Sequence, residues 1–203
     1  NFLFTLHYTI NSYINSSFLE QFISLSEVGL VFGIAAFIGI VILSQAEKLL
    51  IRFGTLPLIL ALISMNISAL IGLVIFHQSQ AQVLIPLFLF IVHYAIATFL
   101  LKFAFDVYFE EQSYDGSTGA IRGKLLTAQN LAWVISPLIF SQLLGEATSF
   151  WKVYSLSLTI SIVLLLVVIY MTPKTKEPHF KKIYFYKTLK EVWAERDILR
   201  IYM

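Results

Sequence analysis

Apolar residues in this chain come in six long runs, at about 2–19, 28–45, 56–76, 83–105, 125–144 and 153–171. A helix needs about 20 mostly apolar residues to cross a bilayer. Only helices and closed barrels satisfy their backbone groups in lipid, and barrel strands would alternate at period two. The runs therefore predict six membrane-spanning helices in an all-α, polytopic membrane protein. Polar positions within the runs are few and regularly spaced. His7, Asn11 and Asn15 recur every four residues in the first run, which keeps them on one helical face. Tyr94, Thr98, Lys102 and Asp106 repeat that spacing in the fourth, with His93 beside them. The second run has Gly29, Gly33 and Gly39 instead, small residues that suit close helix contact. The third holds Ser64, Asn66 and Ser68, less clearly striped, and the sixth only the hydroxyls of Ser155, Ser157, Thr159 and Ser161. Polar faces thus fall on runs one and four. That order predicts a six-helix bundle built as two three-helix repeats, each offering its first helix to a shared cavity.

Composition agrees with lipid as the solvent. The 203 residues are 58% hydrophobic with a mean hydropathy of +0.81, and 13% are charged, about half the share of a soluble domain. The chain has no cysteine, which excludes disulfides and thiolate metal sites. No cofactor is indicated. A net charge of +2 is too small to point to nucleic acid. The placement of the charges is more telling. The connections after runs one, three and five lack Lys and Arg. The others carry Lys48 and Arg52, then Arg122 and Lys124, then a tail, 173–203, with eight bases against four acids. Basic loops stay in the cytoplasm. Both ends of the chain are therefore expected there, in an integral protein of the plasma membrane.

Residues 1–172 read as the transmembrane bundle and 173–203 as a basic cytoplasmic linker. In that linker Ile183, Tyr186, Leu189 and Trp193 recur at spacings of three and four among bases, an amphipathic helix suited to lipid headgroups or to packing on the bundle. The last residues, 197–203, read as the approach to a further span, so more protein is expected beyond Met203.

Each polar group has a plain reading as well as a functional one. His7, Asn11 and Asn15 either bond neighbouring helices or face a solute. His93 reads first as an interior histidine with satisfied bonds. Lys102 and Asp106 are costly at mid-bilayer but lie toward an end where long side chains reach water, so a structural ion pair rivals a transport role. No Gly-x-Ser-x-Gly or His-Glu-x-x-His occurs, and His7, His77, His93 and His179 share no ligand-like spacing. An enzyme is not expected.

The pattern resembles the N-terminal half of a major facilitator superfamily transporter along the whole chain. Glu47-Lys-Leu-Leu-Ile-Arg52-Phe-Gly54-Thr-Leu stands where that family carries G-x-L-A-D-R-x-G-R-R, and keeps Arg52 and Gly54. Asp106 and the later Arg122-Gly123 resemble the acid that ends helix four and the Arg-Gly that opens helix five. Asn130-Leu-Ala-Trp-Val-Ile-Ser-Pro137 keeps the proline of the antiporter run, with Ala132 and Ser136 where glycines stand there. The resemblance implies secondary active transport by alternating access, in which two six-helix halves rock about a central site. Its expected solute is small and polar or amphipathic, bound at His7, Asn11, Asn15, Tyr94 and Thr98. It implies a cluster of Arg52, Asp106 and Arg122 at the cytoplasmic rim, one conformation of a bistable gate. Expected partners are the bilayer, a coupling proton or ion, and a second half supplied by the same protein or by a homodimer. The competing readings are a six-helix membrane scaffold and an oligomeric six-helix channel or transporter.

The charge asymmetry predicts the sidedness of two connections. In intact cells, an impermeant thiol reagent is expected to label Ser79→Cys and to spare Lys187→Cys. The reverse pattern inverts the orientation.

Overall fold

The computed structural model describes residues 1–77, 82–111, 118–144 and 149–171. The expected amphipathic helix around Trp193, the linker 173–203 and most of three connections lie outside these residues. Among the described residues the regular structure is all helical, with no strand. Its segments are α1 (Phe2–Ser12), α2 (Asn15–Leu19), α3 (Leu25–Leu43), α4 (Ala46–Phe53), α5 (Thr55–Phe76), α6 (Leu84–Ala95), α7 (Leu101–Glu111), α8 (Thr118–Leu144) and α9 (Phe150–Met171). A single π-helical turn, Ile96–Leu100, joins α6 to α7, so 84–111 is one continuous helix.

Among the described residues, four helices are long and apolar enough to cross a membrane: Leu25–Leu43, Thr55–Phe76, Leu84–Glu111 and Phe150–Met171. The protein thus has the character of an integral membrane protein. Large apolar side chains such as Leu30, Phe37, Ile75 and Leu166 point outward, which suits hydrocarbon and not water.

The other two expected spans differ. The first is interrupted at Tyr13 and Ile14, leaving helices of 11 and 5 residues. Hydroxyls near the break compete for backbone acceptors. Thr9 Oγ1 donates to the Thr5 carbonyl at 2.8 Å, Ser12 Oγ donates to the Thr9 carbonyl at 2.9 Å, and the Ile14 amide reaches back only to Asn11, at 3.0 Å. Such local bonds disturb a helix. The fifth, α8, is 27 residues long, but Gln129, Asn130, Ser136, Ser141 and Gln142 dilute its apolar character. Pro137 sits within it and lacks the N–H that would bond the Trp133 carbonyl.

Local signals account for the other boundaries. The Ser24-x-x-Glu27 pattern opens α3: the Glu27 carboxylate accepts from the Ser24 amide at 2.8 Å and from its hydroxyl at 2.7 Å. The stretch 46–53, expected as a loop, is the short helix α4, with Leu50 buried and Arg52 exposed. It ends at Gly54, whose φ of 78° is open to glycine and strained for other residues.

The helices pack in a definite order. α1 lies against α8 and α9, α5 against α9 and against α6 and α7, and α3 against α6 and the π-turn. Asn1, Leu56, Tyr108 and Met171 line one pocket, so the starts of α1 and α5 and the ends of α7 and α9 meet at one end. Thr55 Oγ1 donates to Glu111 Oε1 there at 2.8 Å. At the far end Phe18 of α2 packs on Phe150 and Tyr154, at ring separations of 6.1 and 5.0 Å.

Of the three glycines expected at a helix contact, Gly39 alone serves that purpose. A Cβ there would come within 2.5 Å of the Phe99 ring, whereas one at Gly29 or Gly33 would meet nothing within 4 Å. Gly39→Ala is therefore expected to destabilise the protein by about 1–3 kcal/mol through overpacking. Gly33→Ala should be neutral or slightly stabilising, because alanine is the better helix former. Thermal unfolding of both variants in the same detergent checks the contrast.

Candidate functional site

One face of α1 turns His7 and Asn11 into the bundle, where they meet polar groups from three other helices. Asn66 of α5 stands between two imidazoles: its Nδ2 donates to His7 Nε2 at 3.0 Å, and its Oδ1 accepts from His93 Nδ1 at 2.8 Å. An amide nitrogen can only donate and its oxygen only accept. These bonds therefore fix the tautomers. His7 and His93 each carry the proton on Nδ1 and present a bare Nε2. His7 Nδ1–H is shared between Ser157 Oγ and, at 3.2 Å, Ser161 Oγ. Asn11 Nδ2 closes the ring of bonds, donating to His93 Nε2 at 3.2 Å and to Ser157 Oγ at 2.6 Å. His7, Asn11, Asn66, His93, Ser157 and Ser161 are all at most 2% exposed.

The network leaves one group over: Asn11 Oδ1 is buried without a hydrogen-bond partner. No charged side chain is buried among the described residues, so nothing ionic compensates it. Asn15, four residues on, does not join. It lies beyond the break in the helix and accepts from the Tyr154 hydroxyl at 3.3 Å. Thr9, on a neighbouring face of α1, bonds Ser136 of α8.

Tyr94 and Thr98 occupy a different surface. Both are partly exposed, and the Tyr8 phenol of α1 lies beside them. Thr98 Oγ1 is buried without a hydrogen-bond partner. Aromatic rings flank this face on both sides. Phe32 of α3 packs on Tyr94 at 5.0 Å, and Trp133 of α8 packs on Tyr8 at 6.1 Å. The expected single polar surface is thus divided: His7 and Asn11 look inward with His93, whereas Tyr94 lies partly exposed with Tyr8, and the Thr98 hydroxyl sits just beneath them.

The expected charge cluster is also rearranged. Arg122 Nη2 lies 3.7 Å from Glu110 Oε1. Asp106 makes no such ion pair among the described residues, although it shares a cavity of about 240 Å³ with Glu110 and Arg122. The Arg52 guanidinium lies over the ring of its neighbour Phe53, 5.2 Å from the centroid, and pairs with neither Asp106 nor Arg122. The acid that meets Arg122 is one helical turn further along than the acid expected.

Among known proteins, no family model, no curated protein and no solved structure matches the chain. The reading of the site therefore rests on its own geometry. No group of three or more His, Asp or Glu side chains is arranged to hold a metal ion among the described residues.

Asn66, Ser157, Ser161, Tyr8 and Glu110 take places at these sites that their spacing in the sequence did not assign. Asn66 is the only amide in α5, and Glu110 follows Asp106 by four residues; both signals are weak.

Asn66→Leu preserves size and strands one nitrogen of each histidine. We expect a loss of about 1–3 kcal/mol, read as a lowered denaturation midpoint. Ser68→Leu, on the exposed side of the same helix, should leave the midpoint unchanged.

Proposed function

We propose that this chain is one six-pass half of a secondary active transporter of the major facilitator type, moving a small polar or amphipathic solute by alternating access. The observation that carries this reading is the pattern of helix neighbours. α1 packs on α8 and α9, while the α6–α7 helix packs on α3 and α5, and α5 meets α9. Exchanging the first three spans with the last three maps each of these pairings onto another or onto itself. That is the pattern expected of two three-helix repeats related by a two-fold axis. The meeting of Asn1 with Met171 at one end favours an even number of passes. The same end holds Arg52 near the start of α5 and Arg122 beside Glu110, which favours that end as the cytoplasmic one.

On this reading the solute meets Tyr8, Tyr94 and Thr98. Hydroxyls there offer donors and acceptors, and Phe32 and Trp133 cover apolar parts of the ligand, the mixture that small-molecule sites use. His7 and Asn11 stand behind this surface and hold its helices. The Arg122–Glu110 pair is exposed and individually weak, so it suits a contact that breaks and reforms as a gate opens. The second half, from the same protein or from a second copy, covers the face between α3 and α8.

A scaffold protein is the rival reading, favoured by the burial of the His7–Asn66–His93 bonds: polar side chains that only hold helices together would look the same. Thiol accessibility separates the two. The chain has no cysteine, so Thr98→Cys would be a single reporter within it. In sealed vesicles of each orientation, an impermeant thiol reagent is expected to reach Thr98→Cys from both sides of the membrane, while Leu70→Cys, in the core, stays unreacted. Labelling of Thr98→Cys from neither side, or from one side only, removes the case for alternating access.

A further inference from the structure

We propose that the His7–Asn66–His93 network is a binding site for a single proton. Histidine is the side chain whose charge changes near neutral pH, and an ionisable group buried in a membrane bundle marks a functional site. Two such groups stand here with ring centroids 5.6 Å apart, joined through one amide.

The bonding pattern determines how many protons fit. With both imidazoles neutral, the two bare Nε2 atoms accept from Asn66 and Asn11. A proton arriving on His93 Nε2 converts that atom to a donor, and the Asn11 amide must then turn over. Its oxygen, which has no partner in the neutral arrangement, swings to accept from His93 Nε2–H and from the Ser157 hydroxyl. The imidazolium then donates to two amide oxygens, Asn66 Oδ1 and Asn11 Oδ1. The amino group of Asn11 takes the unpartnered position, so the exchange trades one orphan for another while giving the charge both its acceptors.

A second proton does not fit. It would sit on His7 Nε2, which also faces Asn66. The Asn66 amide presents its nitrogen to His7 and its oxygen to His93, so with the oxygen held on His93 a protonated His7 Nε2 would point its N–H at another donor. The two charges would also face each other with no acid near. From α1 the network meets only His7 and Asn11, from α5 Asn66, from α6 His93, and from α9 Ser157, Ser161 and Tyr154, whose ring packs on His93 at 6.3 Å. No Asp, Glu, Lys or Arg is buried around them among the described residues.

His7 and His93 lie behind the Tyr8–Tyr94–Thr98 surface, on α1 and α6, the helices that also carry Tyr8 and Tyr94. A protonation that turns Asn11 therefore acts on the helices that would hold the solute, and the proton becomes the coupling ion. That coupling role rests on the transporter reading; the binding of the proton does not.

The experiment is side-chain nitrogen NMR of the whole protein in bilayers, with labelled histidine, from pH 8.5 to pH 5. His77→Gln and His179→Gln remove the signals of the other histidines in this chain. At pH 8.5 both remaining rings should appear as neutral Nδ1–H tautomers. On acidification the pair should take up one proton in total and keep one neutral ring down to pH 5. Asn11→Leu deletes an acceptor of the charged form and should weaken proton binding about tenfold. Asn66→Ser, which keeps a hydrogen-bonding group too short to reach both imidazoles, should uncouple the two rings. Two neutral rings throughout the range overturn the proposal, as do two rings that protonate independently in the parent protein. Uptake of one proton in a protein whose Thr98→Cys reacts from one side or neither would preserve the proton site and retire the transporter.

Discussion

Two imidazoles bonded to opposite ends of one amide tie together the middle of this bundle. His7 on α1, Asn66 on α5 and His93 on α6 are drawn into one place, and Ser157 and Ser161 bring in α9. Apolar contact alone discriminates poorly between helices in hydrocarbon, because lipid tails are as apolar as leucine. Buried hydrogen-bonding groups discriminate well, because each must find a partner or bear its desolvation cost. The network therefore sets the rotation of four helices about their axes. The apolar clusters around Ile10, Leu70 and Phe90 on one side and around Ile59, Ile63 and Leu101 on the other fill the space that those rotations leave.

Once α1 is rotated to bury His7 and Asn11, Tyr8 must emerge beside them, 100° round the helix. Once α6 is rotated to bury His93, Tyr94 must do the same. The two phenols and Thr98 are thus brought to a common surface as a consequence of the buried bonds. The π-turn at 96–100 contributes here: the Leu101 amide reaches back to the Ile96 carbonyl, which advances the rest of the helix by about one residue. It falls between Tyr94 and the charged segment that holds Lys102 and Asp106, and such turns often mark functional positions. Phe99 lies within it, pressed against Gly39 of α3, so the widened turn is packed and not slack.

At the basic end the interactions are of another kind. Thr55 bonds Glu111, and Arg122 approaches Glu110, in contacts that are at least partly exposed. Exposed pairs contribute little to stability and exchange partners readily. The molecule thus combines a rigid polar centre, whose bonds are costly to break, with a charged end whose bonds are cheap.

The sequence by itself determined that the protein is helical and lives in a membrane, because long apolar runs with few charges have no other stable home. It also marked the polar stripe of α1, the repeat of that stripe in the fourth run, the basic connections, and a glycine at the start of the third span. These signals are local: each follows from composition or from spacing along a single segment. Only the tertiary structure decided what the polar groups meet. Spacing by four places His7 and Asn11 on one face, but not which face of the bundle that is, and it groups Tyr94 with Thr98 without saying that His93 turns the other way. Asn66 lies in a run whose polar residues look unremarkable, and its role arises because α5 packs between α6 and α9. The π-turn at Ile96–Leu100, with Phe99 packed against Gly39 of α3, and the pairing of Arg122 with Glu110 instead of Asp106 likewise depend on contacts between separate helices. Periodicity has no access to such contacts, since it records what lies on one helix and not what faces it.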